Sequence, residues 1–147
     1  MNQNRDTTLR PINLSESAAV AELTTELGYP ATTEAIASRL KRVLPHPEHC
    51  LFGAYDPHRL LAWMHLVIQY PIEAEPYAEV CGLVVSHRHR GQGIGRQLLE
   101  TAKQWTQEKS LCKLRVRCQT RRRDAQRFYR ENGFIADKTQ TVFSLSL

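Results

Sequence analysis

The fold turns on nineteen residues in the middle of the chain: Ala78-Glu79-Val80-Cys81-Gly82-Leu83-Val84-Val85-Ser86-His87-Arg88-His89-Arg90-Gly91-Gln92-Gly93-Ile94-Gly95-Arg96. The first eight read as a buried strand, and the glycine-bearing run after them leads into a stretch where Ile94, Leu98, Ala102 and Trp105 recur every three or four residues. That is strand, glycine-rich turn, amphipathic helix. Glycines let the backbone curl closely around a ligand, and the first N–H groups of a helix have no intrahelical acceptor, so such a junction favours an anion. No Gly-Lys-Ser/Thr follows the glycines, which excludes a nucleoside-triphosphate loop, and their spacing does not fit the dinucleotide fingerprint.

Working outward, residues 7–12 read as a short strand. Residues 13–17 offer capping side chains before a helix with Val20, Leu23 and Leu27 on one stripe, stopped by Gly28 and Pro30. A second helix starts at Thr32 or Thr33, carries Ile36, Leu40 and Val43 or Leu44, and ends at Pro45. Residues 50–55 and 60–70 form a hairpin around Asp56-Pro57-His58-Arg59, and the loop 71–76 is acidic and exposed. Downstream, residues 112–118 alternate apolar with cationic, predicting a strand. Residues 124–132 predict a short helix closed by Gly133, and 134–147 one or two last strands. This order predicts an α/β (α+β) single domain over residues 1–147, a mixed central sheet flanked by about four helices.

Composition agrees with a globular domain: 147 residues, 41% hydrophobic, 24% charged. The longest apolar run, 60–68, contains His65 and is too short to cross a bilayer, and the polar first ten residues predict no signal peptide, so a cytoplasmic location and no membrane partner are expected. The four cysteines, Cys50, Cys81, Cys112 and Cys118, include no Cys-x-x-Cys and are expected to be reduced and buried. No histidine group has zinc-site spacing, so no metal is expected, and His46, His49, His87 and His89 read as surface residues. The net charge of +5 is unevenly placed. Between residues 81 and 130 there are 13 Lys/Arg against three acids, giving +10, while the remainder carries 7 against 12, giving −5. A basic third of the chain calls for an anionic partner, phosphate on a cofactor or on nucleic acid; interleaved aromatics are missing, so nucleic acid is not the expected ligand.

Two segments carry a resemblance. Arg90-Gly91-Gln92-Gly93-Ile94-Gly95 resembles the Gln/Arg-x-x-Gly-x-Gly/Ala signature of the GNAT superfamily of acyl-CoA-dependent N-acetyltransferases. Ala125-Gln126-Arg127-Phe128-Tyr129-Arg130-Glu131-Asn132-Gly133-Phe134 resembles that family's Ala-x-x-Phe-Tyr-x-x-x-Gly-Phe, with one helix and one strand between the two, as in the family. The resemblance implies transfer of an acetyl group from acetyl-CoA, as cosubstrate, to a primary amine of a small molecule or protein, by direct attack in a ternary complex. It implies that the backbone of Arg90, Gly91, Gln92, Gly93, Ile94, Gly95 and Arg96 holds the cofactor pyrophosphate. It further implies that Leu83, Val84 and Val85, splayed from the next strand by a bulge, pair with the pantetheine arm, the N–H of Val85 also stabilising the oxyanion. Tyr129 would protonate the leaving thiolate, and either Glu79 or water would take the amine proton. His87 stands where many members have proline, and Arg122 where an asparagine often contacts the pantetheine arm. Glu22, Glu26, Glu34, Glu73, Glu75 and Glu79 would favour a cationic amine, and a homodimer is a family-level expectation. The alternative is a non-catalytic module that senses acyl-CoA or docks on nucleic acid.

Overall fold

A computed structural model describes residues 6–147. By contacts the chain divides into two compact units, one ending at Val116 and the other Arg117–Leu147. The first unit holds the strands β1 (Thr8–Pro11), β2 (His49–Tyr55), β3 (Leu60–Gln69), β4 (Tyr77–Val85) and β5 (Leu114–Val116), and the helices α1 (Ser17–Glu26), α2 (Thr33–Val43) and α3 (Ile94–Glu108). The second holds α4 (Arg123–Glu131). The sheet runs β1-β2-β3-β4-β5; β1 to β4 are antiparallel and β5 joins β4 in parallel, so the expected α/β class with a mixed sheet and four helices is what the chain adopts.

Local chemistry explains the elements. The Thr32 hydroxyl accepts from the N–H of Ala35 at 3.1 Å and caps α2, whose Glu34 lies in the first turn and Lys41 and Arg42 in the last, each sign matched to the helix dipole. Asp56 Oδ1 accepts from the N–H groups of His58 and Arg59, both at 2.7 Å, closing the β2–β3 hairpin. Gly28 takes φ +103° just after α1, a conformation open to glycine at little cost.

The β3 strand separates the two faces of the sheet. Ala62, Met64 and Leu66 are fully buried and lie on the side covered by α3, whose stripe is Ile94, Leu98, Leu99 and Ala102. On the other side Trp63 and Val84 join a core made by Val20, Leu23, Ile36 and Leu40 of α1 and α2. That core covers only part of its face. Trp63, His65, Val67 and Gln69 are all half-buried, so the sheet stays partly open there.

Three expectations need correction. The strand predicted over 112–118 has only three paired residues, because the carbonyls of Gln119 and Thr120 are taken by Gln126 Nε2 at 3.1 and 2.8 Å and the chain turns into α4. No strand forms in 134–147; the N–H of Phe134 instead donates to the Tyr129 carbonyl at 3.0 Å, and the residues beyond have no ladder. The cysteines are all free, but only Cys50 is buried; Cys81 and Cys112 are exposed and Cys118 is intermediate. Cys81 is exposed because it is the extra residue of a bulge.

Candidate active site

That bulge shapes β4. Leu66 faces Val80 while His65 faces Gly82, leaving Cys81 unmatched. Before it, Ala78, Glu79 and Val80 pair with Leu114, Arg115 and Val116, and the ladder with β5 ends there. The orientation of the freed backbone follows from the ladder. The N–H of Ser86 donates to the Leu61 carbonyl at 2.8 Å, so the pairs Ser86–Leu61, Val84–Trp63 and Gly82–His65 are the hydrogen-bonded ones, and the N–H and C=O groups of Leu83 and Val85 point away from β3 into the open edge. The backbone groups of Leu83 and Val85 are thus not spent on β3, whereas Val84 spends its own there and buries its side chain at 3% exposure.

The turn that follows carries the glycines. Gly91 and Gly93 have φ +75° and +83°, and Gly93 is the N-cap of α3. Among the described residues, none of the N–H groups of Gly91, Gln92, Gly93, Ile94, Gly95 and Arg96 donates to a backbone carbonyl. Arg90 Nε donates to the Val85 carbonyl at 3.3 Å, tying the turn to the end of β4.

Glu79 lies on the open face at 6% exposure, opposite Val67 of β3 and Arg115 of β5. Gln69 Nε2 donates to its Oε2 at 2.9 Å, the diagonal contact expected across an antiparallel pair. A buried carboxylate held by a side-chain amide is positioned as well as solvated. The same face carries His65, two residues along β3 from Val67, the partner of Glu79, its ring stacked on His49 with Nε2 2.8 Å from His49 Nδ1. Burial, reinforced by His49, pushes His65 down to about 4, so the ring is neutral at physiological pH. His49 is therefore no surface histidine; the hairpin register brings it under His65, which spacing alone could not reveal. Period-two reading of β3 does place His65, Val67 and Gln69 on one face, and that signal could have found Gln69.

His87 Nδ1 and Glu26 Oε1 form a hydrogen bond that links the turn to α1. Three buried side-chain atoms have no hydrogen-bond partner among the described residues: Glu26 Oε2, Trp63 Nε1 and His89 Nδ1. A separate cleft of about 200 Å³ opens where β1 stops at Pro11, between Leu44, Cys50 and Trp105; none of the residues expected to hold the cofactor lines it.

In the second unit, Tyr129 sits on α4 between Phe128 and Phe134, ring centroids 5.2 and 5.6 Å away. Burial, aided by Cys118 and opposed by Arg122, pushes its phenol up to about 12. The phenol therefore stays protonated throughout the physiological range, although it is further from the acidity of a thiol than an ordinary tyrosine. Among the described residues no group of three or more His, Cys, Asp or Glu is arranged to hold a metal ion, and no helix is long and apolar enough to cross a membrane.

The family model described as the acetyltransferase (GNAT) family matches residues 17–134. The chain belongs to the GNAT acetyltransferase family. A streptothricin acetyltransferase of Escherichia coli is 39% identical to this GNAT chain over 57 residues, which are 39% of the chain and 33% of that protein, so the match spans about a third of its length. Two solved structures share the fold. The aminoglycoside 6'-N-acetyltransferase of Acinetobacter haemolyticus superposes with a TM-score of 0.82 at 19% identity, covering 95% of this chain and 99% of that one. Glucosamine-6-phosphate N-acetyltransferase of Arabidopsis thaliana gives 0.80 at 16% identity with the same coverage.

Proposed function

We propose that this acetyltransferase moves the acetyl group of acetyl-CoA onto a primary amine of a small polycationic acceptor, of the streptothricin or aminoglycoside kind. The observation that carries the reading is the outward-facing backbone of Leu83 and Val85 running directly into a helix N-terminus whose N–H groups are unspent. The edge suits an extended amide-bearing arm and the turn suits its phosphates, which are the two parts of coenzyme A. Arg90 and Arg96 add cationic field.

The amine nitrogen attacks the acetyl carbonyl; a C–N bond forms and the C–S bond breaks. The N–H of Val85 stabilises charge developing on the carbonyl oxygen. Tyr129 donates its phenolic proton to the departing sulfur. The amine proton passes to Glu79, which Gln69 holds, or through it to water. Trp63 Nε1 and Glu26 Oε2, buried polar atoms with no hydrogen-bond partner among the described residues, are offered to the acceptor, since an unmet buried group is costly until a ligand meets it. Exposed Glu22, Glu34, Glu73 and Glu75 favour a cation. Names borne by similar acetyltransferases support the same acceptor class.

The test is a panel of streptothricins, aminoglycosides, polyamines and lysine peptides assayed for coenzyme A release. Turnover is expected on the first two. Acetyl-CoA binding with no release on any amine would leave an acyl-CoA sensor instead.

A further inference from the structure

A cationic acceptor enters the proposed reaction as an ammonium and leaves as an amide, so its nitrogen gives up two protons per turnover. One ends on the sulfur of coenzyme A, and the other must reach solvent. Glu79 is only 6% exposed, so a proton that it takes from the amine has no direct way to bulk water.

Two imidazoles lie between Glu79 and a second opening. Across the β3–β4 ladder Glu79 faces Val67, with Gln69 on one diagonal and His65 on the other. Diagonal neighbours on one face have Cβ atoms roughly 7–8 Å apart; Gln69 closes that gap directly at 2.9 Å from the carboxylate, and the shorter His65 closes it through one water. His65 Nε2 is 2.8 Å from His49 Nδ1, the two rings lying within 19° of parallel. His49 in turn lines the cleft of about 200 Å³ where β1 stops, and the exposed His46 meets its ring edge-on at 5.2 Å. His65 Nδ1 and His49 Nε2 have no hydrogen-bond partner among the described residues, and neither is among the buried atoms that lack one, so water reaches both. The pair is wet at each end and in direct contact in the middle. Packing alone does not call for it, since hydrocarbon side chains would cover the sheet without polar atoms to keep solvated.

We propose that His65 and His49 carry the amine proton from Glu79 to the water of that cleft. The inference rests on the proposed acetyl transfer, since that reaction is what releases the proton. The steps balance. Through a bridging water Glu79 gives the proton to His65 Nδ1, the proton on His65 Nε2 passes to His49 Nδ1, and the proton on His49 Nε2 leaves to the cleft. Glu79 is then a carboxylate again. Both rings end neutral in their other tautomers and are reset by exchange with the water at either end. Burial, reinforced by His49, holds His65 down at about 4, so the ring hands a proton on instead of keeping it. None of the residues expected to hold the cofactor lines the cleft, so bound coenzyme A leaves the exit open. Neither histidine touches the acceptor in this scheme; both act through Glu79.

The experiment takes the full chain and an amine that it acetylates, with both substrates saturating. H65Q and H49Q should each lower kcat roughly 10-fold, less than the ~10²–10⁴ that a general base itself is worth, with both KM values unchanged. Far-ultraviolet circular dichroism checks the fold, and where H65Q loses it, H49Q decides. The deciding readout is rescue: imidazole in solution should restore kcat of either variant in proportion to its concentration and leave wild type unchanged. H65Q/H49Q should be no slower than the slower single variant, because both changes cut one path. Variants as fast as wild type, or slow ones that imidazole does not restore, would overturn the relay and leave acetyl transfer standing. A wild type that acetylates no amine would remove both.

Discussion

Tyr129 shows how far a residue's neighbours set its chemistry. With its phenol pushed up to about 12, it keeps its proton at any physiological pH, so in the proposed donor role it is always loaded but needs the developing thiolate to draw the proton away. Tyr129→Phe should lower kcat by roughly 100-fold, within the usual range for loss of a general acid, with the KM for acetyl-CoA changed little. Unchanged turnover under conditions where chemistry limits the rate would remove Tyr129 from the mechanism. His65 makes the opposite kind of statement. Its folded value, about 4, lies below the 6.5 of a free histidine, so between those values the unfolded chain binds a proton that the folded one does not, and stability falls as pH falls through that window. His65→Gln should remove roughly 2 kcal/mol of the wild-type difference in unfolding free energy between pH 7 and pH 4.5. Urea titrations at the two pH values measure it, and an equal pH dependence in both proteins would show that His65 titrates normally when folded.

The β4 strand and the turn after it form the element on which the site depends, and its geometry is set by what lies beneath. Gly82 stands directly over the Trp63 ring; a Cβ there would come within 2.8 Å of it. Gly82→Ala therefore forces the indole or the strand to shift, at a cost of about 1–3 kcal/mol that should appear as a lower urea midpoint. Because the outward backbone of Leu83 and Val85 depends on the same stretch of ladder, acetyl-CoA binding should weaken with it. A variant as stable as wild type would mean that the ring moves freely. The sequence showed the strand, the glycines and the helix, since period-two and period-3.6 patterns are local. The resemblance implied a bulge beside Leu83–Val85, but its place opposite His65 and Leu66 at Cys81 was not legible, because it is a mismatch between two strands and neither strand encodes it alone.

The whole molecule is the scale on which charge acts. The basic stretch 81–130 includes the turn proposed to meet phosphate, and the acidic remainder includes α1, α2 and the 71–76 loop. Raising salt from 0.1 to 1 M shortens the screening length from ~10 to ~3 Å, so the KM for acetyl-CoA and that for a cationic amine should both rise several-fold while kcat holds. Salt-independent KM values would mean that neither field contributes to capture. Two hydrophobic periods, a pair of glycine-bearing motifs and the lopsided charge were all readable from the chain, and with them the α/β class, the order of elements as far as α4 and the expectation of an acyl-CoA cradle. Those features arise from neighbours within a few residues of one another, where the chain's own geometry fixes who meets whom. The tertiary structure alone decided that β5 stops at Val116 and leaves the edge of β4 open. It alone gave Glu79 its Gln69 partner and made His65 neutral against His49. Each of these is a pairing between segments distant in sequence, and its register exists only once the sheet has formed.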